Sequence, residues 1–295
     1  LTLRRYASAG VAVQAPRTIV EVESDRGLSV TGLSAKESQI FARKILDHYG
    51  LEGAKIKVVS TPPRHAGLGS TTQLSLCIAV GLAKLHGLNV QPVELATILG
   101  RGKQSAIGTY AFQHGGFIVE GGWAEKTIFP PLLFRYSFPE DWQFLIIIPK
   151  SRGFDEKEEA KAFEDLSAPN EGLVYEACYR LLLGMAPAIL EKNITVFGEN
   201  LIKIQEIVGA MFSRAQGGVY QPASVPIIEK LKEIGAAGYG QSSWGPAVYG
   251  LFDPQKSQTL RALLKKEILH EESIEESNGD LHGFSDLGEV HVTRV

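Results

Sequence analysis

The segment Pro62-Pro63-Arg64-His65-Ala66-Gly67-Leu68-Gly69-Ser70-Thr71-Thr72-Gln73 decides how this sequence is interpreted. Its two glycines allow the backbone to turn tightly and to approach a ligand, and the helical pattern that follows directs free N–H groups and a positive dipole end back at the turn. The hydroxyl groups of Ser70, Thr71 and Thr72 add donors. The segment therefore predicts a phosphate-binding loop. An ordinary capped helix start is the alternative, and no Gly-Lys-Ser/Thr of a Walker A loop is present.

The helix predicted after this loop has the clearest periodicity in the chain. Its i, i+3, i+4, i+7 spacing predicts one buried stripe against a sheet, formed by Leu74, Cys77, Ile78, Gly81, Leu82 and Leu85. An earlier helix is predicted from a capping box at Ser34 and Glu37 to a terminal glycine at Gly50.

Hydrophobic patterning over the rest of the chain predicts an α+β protein in two lobes. Strands are predicted at 10–13, 18–22, 54–59, 115–120, 142–149, 247–251 and 290–295. Helices are predicted at 92–99, 174–190, 196–211, 225–234 and 258–268, with a charged stretch at 150–170, a glycine-rich turn at 238–246 and an acidic stretch at 271–280. We place the lobes at residues 1–138 and 139–295.

Composition limits the function classes. The chain has 295 residues, 44% of them hydrophobic and 21% charged, with a formal net charge of −3. A chain of this size and composition can fold without disulfides or structural metals. Its net charge does not provide the strongly positive surface that general nucleic-acid binding requires. The most apolar run, Phe144–Ile148, is far shorter than the ~20 residues that span a bilayer, so we expect no membrane association. Cys77 and Cys178 lie in apolar helical patterns and are predicted to be buried free thiols.

The Pro-Pro-x-x-x-Gly-Leu-Gly-Ser-Thr pattern that starts at Pro62 resembles the second motif of the GHMP kinases, whose glycine loop holds ATP phosphates. Gly238–Pro246 stands where that superfamily has its third motif. The resemblance implies a two-lobed GHMP-kinase-like fold, with an N-terminal mixed α/β lobe that carries the phosphate loop and a C-terminal ferredoxin-like α+β lobe. Many of these kinases have an acidic catalytic residue where this chain reads Ser105–Tyr110, without a carboxylate. A general base for phosphoryl transfer is missing there.

Further segments resemble one branch of the superfamily, the β-ribofuranosylaminobenzene 5′-phosphate synthase family. They are His65–Ser70 with Thr72–Leu74, Leu99–Ser105 with Ile107–Gly108, Phe112 with Gly115–Val119 and Gly121–Gly122, Gln216–Tyr220, and Gln241–Pro246. The Arg-Leu-His-Phe-Gly-like strand with which that family begins is not present, and only Tyr6–Val13 corresponds to its end. We therefore expect the native chain to have further residues before Leu1.

The resemblance implies decarboxylating phosphoribosyl transfer in tetrahydromethanopterin biosynthesis. The donor would be phosphoribosyl pyrophosphate and the acceptor a 4-substituted benzoate, either 4-aminobenzoate or 4-hydroxybenzoate, with release of CO2 and pyrophosphate. The resemblance also implies Mg2+ as a cofactor, a homodimer and a cytoplasmic location. Departure of pyrophosphate is assisted by pre-aimed donors at a helix N-terminus. No strong base is required, which fits the missing acid.

The resemblance places Arg101, Lys103 and His65 as the candidate catalytic residues. Arg101 and Lys103 suit the ribose 5′-phosphate or the carboxylate, and arginine is the better bidentate partner. The candidate phosphate- and substrate-binding residues are Gly67, Gly69, Ser70, Thr71, Thr72, Gln73, Ser105, Gln216, Gly217, Gly218, Tyr220, Ser242, Ser243 and Trp244. No metal ligand is assigned.

Several alternatives stay open at this stage. Tyr220, Gln216 and Trp244 are expected to line the aromatic substrate, and a core position is the alternative for Trp244. A structural histidine is the alternative for His65, and a plain surface loop is the alternative for Arg101 and Lys103. An ATP-dependent GHMP small-molecule kinase is the alternative function, and a nucleotide-sensing regulatory protein is a third hypothesis.

Overall fold

The computed structural model describes residues 4–151, 153–164, 166, 170–253, 255–256 and 288–293. Contacts divide the chain into two compact units. The first comprises the chain up to Arg64 together with Gly69–Ser137, and the second comprises His65–Leu68 together with the chain from Phe138.

The first unit is built from two small sheets and four helices within the described residues. Its elements are β1 (Ser8–Val11), β2 (Ile19–Ser24), β3 (Leu28–Gly32), α1 (Ala35–Tyr49), β4 (Ala54–Ser60), α2 (Ser70–Leu85), α3 (Pro92–Ile98), α4 (Ile107–His114), β5 (Phe117–Glu120) and β6 (Leu132–Tyr136). One sheet has the antiparallel order β1-β5-β6. In the other, ordered β2-β4-β3, β4 pairs antiparallel with β2 and parallel with β3. The sequence patterns missed β3, β6 and α4.

The core of the first unit surrounds α2. The predicted stripe is buried at Leu74, Ile78 and Leu82, but Leu76 and Ala79 on other sides of the helix are fully buried as well. The prediction of a single stripe was therefore incomplete, because α2 packs against α1, α3 and α4 in addition to β2. A helix enclosed on most sides cannot be recognised by one-sided periodicity.

The start of α1 differs from its prediction, while its end agrees. Ser34 has a left-handed backbone (φ 51°) and its side chain makes no capping hydrogen bond, so the predicted capping box is wrong. Glu37 lies in the first turn of α1, but its carboxylate forms an ion pair with Arg64 at 3.0 Å and is not shown to bond the Ser34 N–H. Gly50 adopts the left-handed conformation (φ 61°) and ends the helix as predicted.

The second unit combines one antiparallel sheet with long helices. Its elements are β7 (Gln143–Pro149), α5 (Glu156–Glu164), α6 (Glu171–Tyr179), a π-helical turn (Arg180–Met185), α7 (Ala186–Leu190), α8 (Ile194–Gln216), α9 (Val225–Glu233), β8 (Gly238–Gln241), β9 (Val248–Phe252) and β10 (Gly288–Thr293). The sheet order is β10-β7-β9-β8. Strand β7 is buried at every residue, as its unbroken apolar run predicts. Leu145 and Ile147 of β7 pack against Ile227, Ile228 and Leu231 of α9.

Part of the predicted glycine-rich turn is a strand, β8. Its glycines are required because α8 crosses closely: a Cβ on Gly240 would lie 2.5 Å from the Gln205 side chain, and one on Gly238 would lie 2.9 Å from the Gly198 Cα atom. The glycines that indicated a turn therefore mark a close helix crossing. The last strand, β10, begins two residues before its prediction. The helix predicted at 258–268 and the acidic stretch at 271–280 lie outside the described residues.

One helix among the described residues, Glu171–Leu190, is long and apolar enough by length and composition to cross a membrane, and core helices of soluble proteins pass the same test. The apolar runs of the sequence did not indicate this segment. Cys178 within it is exposed, so the prediction that both thiols are buried is wrong, while Cys77 is half-buried; both are free. Burial raises the pKa of the Cys77 thiol to about 11.

Candidate active site

The first part of the glycine loop, His65–Leu68, is held inside the second unit by hydrogen bonds to the turn after β8. The Ala247 N–H donates to the Ala66 carbonyl at 3.1 Å, and the Ser242 hydroxyl donates to the Gly67 carbonyl at 2.7 Å. Gly67 has φ +80°, and a Cβ there would lie 2.0 Å from the Ser242 carbonyl oxygen. Only glycine fits this close approach of two backbones.

The second part of the loop starts helix α2 in the first unit. Gly69 precedes it with φ +63°, and among the described residues nothing lies within 4 Å of a Cβ built there. The Ser70 hydroxyl donates to the Pro63 carbonyl at 3.2 Å, and the Gln73 amide donates to the Gly108 carbonyl at 2.7 Å. These two side chains therefore fix the loop and α4. The first N–H groups of α2 have no partner within the helix, which makes this end suited to an anion.

The loop Leu99–Ala106 carries Arg101, Lys103 and Ser105 within the first unit. Lys103 and Ser105 are exposed and Arg101 is half-buried. The Ser105 hydroxyl, just before the N-cap residue Ala106, accepts from the Ile107 N–H at 3.2 Å at the start of α4. The loop presents two cationic side chains in a conformation that depends on Gly100 (φ +71°) and Gly102 (φ +86°).

A buried network of glutamines joins the other predicted segments within the second unit. The Gln241 side chain accepts from the Gln221 N–H at 2.8 Å and donates to the Gln216 side chain at 3.1 Å. Gln216 in turn donates to the Gly218 carbonyl at 3.0 Å and to the Val219 carbonyl at 2.8 Å. The Gln216 side chain, predicted to line the substrate, therefore connects the Gly217–Tyr220 turn to Gln241 at the end of β8.

Trp244 lies in an aromatic cluster of the second unit. Its ring stacks on the rings of Phe212 and Phe154, with ring centroids 4.3 and 5.3 Å apart. The Phe163 ring packs edge-on against it, with a centroid distance of 5.2 Å. Only 3% of the residue is exposed. Trp244 therefore occupies a core position, which was the alternative to a place in the substrate site.

The remaining candidates have distinct surroundings. His65 is half-buried and has a left-handed backbone (φ 56°). Tyr220 is half-buried and packs against the core of the second unit, where burial raises the pKa of its phenol. Ser242 holds Gly67, whereas Ser243 is exposed and left-handed (φ 53°). His65 and Gly67 thus lie in one unit with Gln216–Tyr220 and Ser242–Trp244, while Gly69–Gln73 lie in the other with Arg101–Ser105.

Three residues outside the candidate list support these segments. Gln241 begins the Gln241–Pro246 segment but was given no role, Gln221 was not singled out, and together they form the centre of the glutamine network. A Cβ on Gly153 would lie 1.8 Å from the His65 carbonyl oxygen, so this glycine permits the loop to pass. Isolated glutamines and a single glycine after a strand carry no periodic signal, and only the three-dimensional contacts identify them.

Comparison with known proteins shows to which family this chain belongs. Residues 36–116 match the family model described as GHMP kinases N terminal domain, and residues 185–268 match that described as GHMP kinases C terminal. A β-ribofuranosylphenol 5′-phosphate synthase from Methanothermobacter thermautotrophicus is 35% identical over 284 residues, which covers 88% of this chain and 85% of the relative. One of the same name from Archaeoglobus fulgidus is 32% identical and covers 86% of this chain and 82% of the relative. The chain belongs to this synthase family.

Membership of the synthase family confirms the resemblance inferred from the glycine loop and the later segments. The relatives are named for a phenol, whereas the resemblance was to an aminobenzene synthase, and the two products differ in the para substituent of the ring. The synthase family shares its fold with kinases. A crystal structure of homoserine kinase from Cytophaga hutchinsonii superposes with a TM-score of 0.66 at 16% identity, over 97% of this chain and 89% of that chain. The predicted GHMP-kinase-like α+β fold is confirmed.

Proposed function

We propose that this chain joins the ribose 5-phosphate unit of phosphoribosyl pyrophosphate to the ring of a 4-substituted benzoate, a step of tetrahydromethanopterin biosynthesis. The bond between ribose C1 and the pyrophosphate oxygen breaks, and C1 forms a carbon–carbon bond with the ring carbon that bears the carboxylate, which leaves as CO2. The observation that carries the proposal is the 35% identity over 284 residues to a named β-ribofuranosylphenol 5′-phosphate synthase. Because that name specifies a phenol, 4-hydroxybenzoate is the favoured acceptor and 4-aminobenzoate the second.

The largest electrostatic task in this reaction is to stabilise the departing pyrophosphate. In the proposed mechanism the N–H groups at the start of α2 bind it, and the open space beside Gly69 leaves room for a phosphate. Arg101 and Lys103 bind the ribose 5-phosphate or the benzoate carboxylate. These roles require pre-aimed donors and fixed charges, and the helix start and the Leu99–Ala106 loop support the proposal because they carry such groups.

We propose that Mg2+ enters as a complex with the donor's phosphates. Among the residues that the structure describes, no group of three or more His, Cys, Asp or Glu side chains can hold a metal ion. Mg2+ in proteins commonly has one or two carboxylate ligands and completes its shell with substrate phosphates and water. When bound, it would neutralise pyrophosphate charge. No residue of this chain is assigned to it.

The acceptor half of the reaction needs no proton abstraction. When the ring carbon attacks, the electron pair of the carbon–carboxylate bond restores aromaticity as CO2 leaves. This chemistry fits a Ser105–Tyr110 segment without a carboxylate. Glu120, the acid at the end of the following strand, is 0% exposed and so cannot reach a substrate.

A labelled-product assay tests this function. We expect the protein, supplied with Mg2+, phosphoribosyl pyrophosphate and carboxyl-labelled 4-hydroxybenzoate, to release labelled CO2 and pyrophosphate in equal amounts. Omitting phosphoribosyl pyrophosphate is the control, and carboxyl-labelled 4-aminobenzoate is run in parallel. No CO2 from either benzoate would contradict the proposal. ATP consumption with a small hydroxylated acid would favour the kinase alternative.

We also propose that the protein is a homodimer and that the exposed face of Glu171–Leu190 forms the interface. Large apolar side chains lie on this face, here called the apolar stripe; they are Tyr175 (66% exposed), Tyr179 (65%), Leu182 (50%), Leu183 (67%) and Leu190 (63%). The opposite side of the helix packs against α8.

A second copy suits the stripe better than a lipid surface does. The charged side chains Glu176 and Arg180 pair with each other at 2.7 Å, so the segment lacks the surplus of basic residues typical of helices that bind membrane surfaces. The stripe exposes roughly 500 Å² of side chain per copy, enough for the core of an interface that needs about 800 Å² per partner.

A charge placed in the stripe tests this interface. We expect Tyr179→Glu to convert a dimer into a folded monomer, measured by light scattering after size exclusion. Ile128→Glu is the matched control, because Ile128 is 85% exposed in the other unit and its variant is expected to stay dimeric. A wild-type monomer, or a Tyr179→Glu dimer as stable as the wild type, would contradict the interface.

We propose a cytoplasmic location. Cys178 is exposed and free, and exposed free thiols are typical of a reducing compartment.

A further inference from the structure

One buried carboxyl group has no part in the proposed mechanism. Glu120 ends strand β5 and is 0% exposed. Its Oε2 accepts from the Gly122 N–H at 2.6 Å. Its Oε1 is buried and has no hydrogen-bond partner among the described residues. A buried acid costs free energy unless its surroundings satisfy it, so its presence calls for a physical account.

The hydrogen bond to Glu120 fixes the turn that follows β5. Burial raises the pKa of the Glu120 carboxyl, and the hydrogen bond from the Gly122 N–H lowers it. The side chain therefore ties the end of β5 to the Gly121–Trp123 turn.

The turn that follows Glu120 contacts the loop that carries the candidate cations Arg101 and Lys103. The Trp123 indole N–H donates to the Gly102 carbonyl at 3.0 Å. Trp123 exchanges backbone hydrogen bonds with Arg5, at 2.8 and 2.7 Å, and the Arg4 guanidinium donates to the Gly121 carbonyl and, at 2.8 Å, to the Gly122 carbonyl. Arg4 and Arg5 therefore hold the Gly121–Trp123 turn through these hydrogen bonds.

We infer that Glu120 is a positioning residue that, together with Trp123, fixes the Arg101–Ala106 loop for binding phosphoribosyl pyrophosphate. Glu120 holds the Gly121–Trp123 turn through the Gly122 N–H, and from this turn the Trp123 indole holds the Gly102 carbonyl between the two cationic residues. A glutamine at position 120 replaces the charged acceptor of the Gly122 N–H with a neutral amide, which weakens this hydrogen bond and loosens the turn that holds the loop. The functional part of this inference rests on the proposed function.

Two measurements separate positioning from a merely structural role. Hydrogen–deuterium exchange of the unliganded protein is expected to be at least tenfold faster at the amides of residues 101–106 in Glu120→Gln. The KM for phosphoribosyl pyrophosphate is expected to rise about tenfold, with little change in kcat, in the same variant assayed where circular dichroism shows it folded. Thr109→Val is the matched control, since Thr109 is a buried polar residue of the same unit (1% exposed) whose hydroxyl meets no described partner.

A second variant covers the case in which Glu120→Gln does not fold. Trp123→Phe removes the donor to the Gly102 carbonyl while it keeps an aromatic ring at this position, and a severalfold faster exchange of the loop with a raised KM is expected. Wild-type exchange and wild-type KM in the folded variants would overturn the inference. If the wild-type protein releases no CO2, the proposed function fails, and the exchange measurement alone then decides whether Glu120 and Trp123 hold the loop.

Discussion

Gly67→Ala is expected to reduce activity by about 100-fold or more and to destabilise the second unit. An alanine at φ +80° costs about 1 kcal/mol in backbone energy, and its Cβ would lie 2.0 Å from the Ser242 carbonyl oxygen, so one of the two backbones must move. A displacement of about 1 Å at residues that position a substrate is sufficient for a rate loss of this size. Steady-state kinetics and thermal unfolding check both effects.

Gly69→Ala provides the matched control for this prediction. It introduces the same methyl group at a similar backbone angle (φ +63°), but no described atom lies within 4 Å of the new Cβ. We expect only the backbone cost, about 1 kcal/mol, in the free energy of unfolding. The comparison concerns stability, because the new methyl group enters the space proposed for the phosphate and is expected to weaken binding of phosphoribosyl pyrophosphate. Equal losses of stability in the two variants would show that the contact with Ser242 is not what requires glycine at position 67.

The sequence predicts best where a local pattern has one physical cause. The glycine loop and the start of α2 follow from glycine conformational freedom and an apolar helix, and they were located correctly. Strand β7 is also correct, because an apolar run of that length between turn signals suits a fully buried strand. The family was also identified from local sequence, since the glycine loop and the Gln241–Pro246 turn are short contiguous segments that resemble motifs of the family.

The rest depends on partners that are distant in the chain. Ser34 and Glu37 form a capping-box pattern, but the ion pair with Arg64 competes for the glutamate. The glycines of β8 indicate a turn by composition, while the crossing of α8 places them in a strand. The Gln241 network and the environment of Glu120 are formed by residues that are distant in the sequence, so the spacing of residues along the chain does not predict them.

Trp244→Ala is expected to lower the free energy of unfolding of the second unit by about 3–5 kcal/mol. The ring stacks on Phe212 and Phe154 and is 3% exposed, so the substitution opens a large apolar cavity. Trp244→Phe is expected to cost much less, because it keeps an aromatic ring for stacking and removes an indole N–H that meets no acceptor among the described residues. Thermal and denaturant unfolding measure both changes.

The same pair of variants decides between the two roles weighed for Trp244. If the ring serves as core, Trp244→Phe keeps the KM for the benzoate within about twofold of wild type, because the changed atoms lie inside the cluster and not at a substrate surface. If the ring lines the acceptor, the folded Trp244→Phe enzyme shows a raised benzoate KM without a matching loss of stability. The aromatic neighbours favour the first result, since stacking on Phe212 at 4.3 Å already occupies a face that a substrate would need.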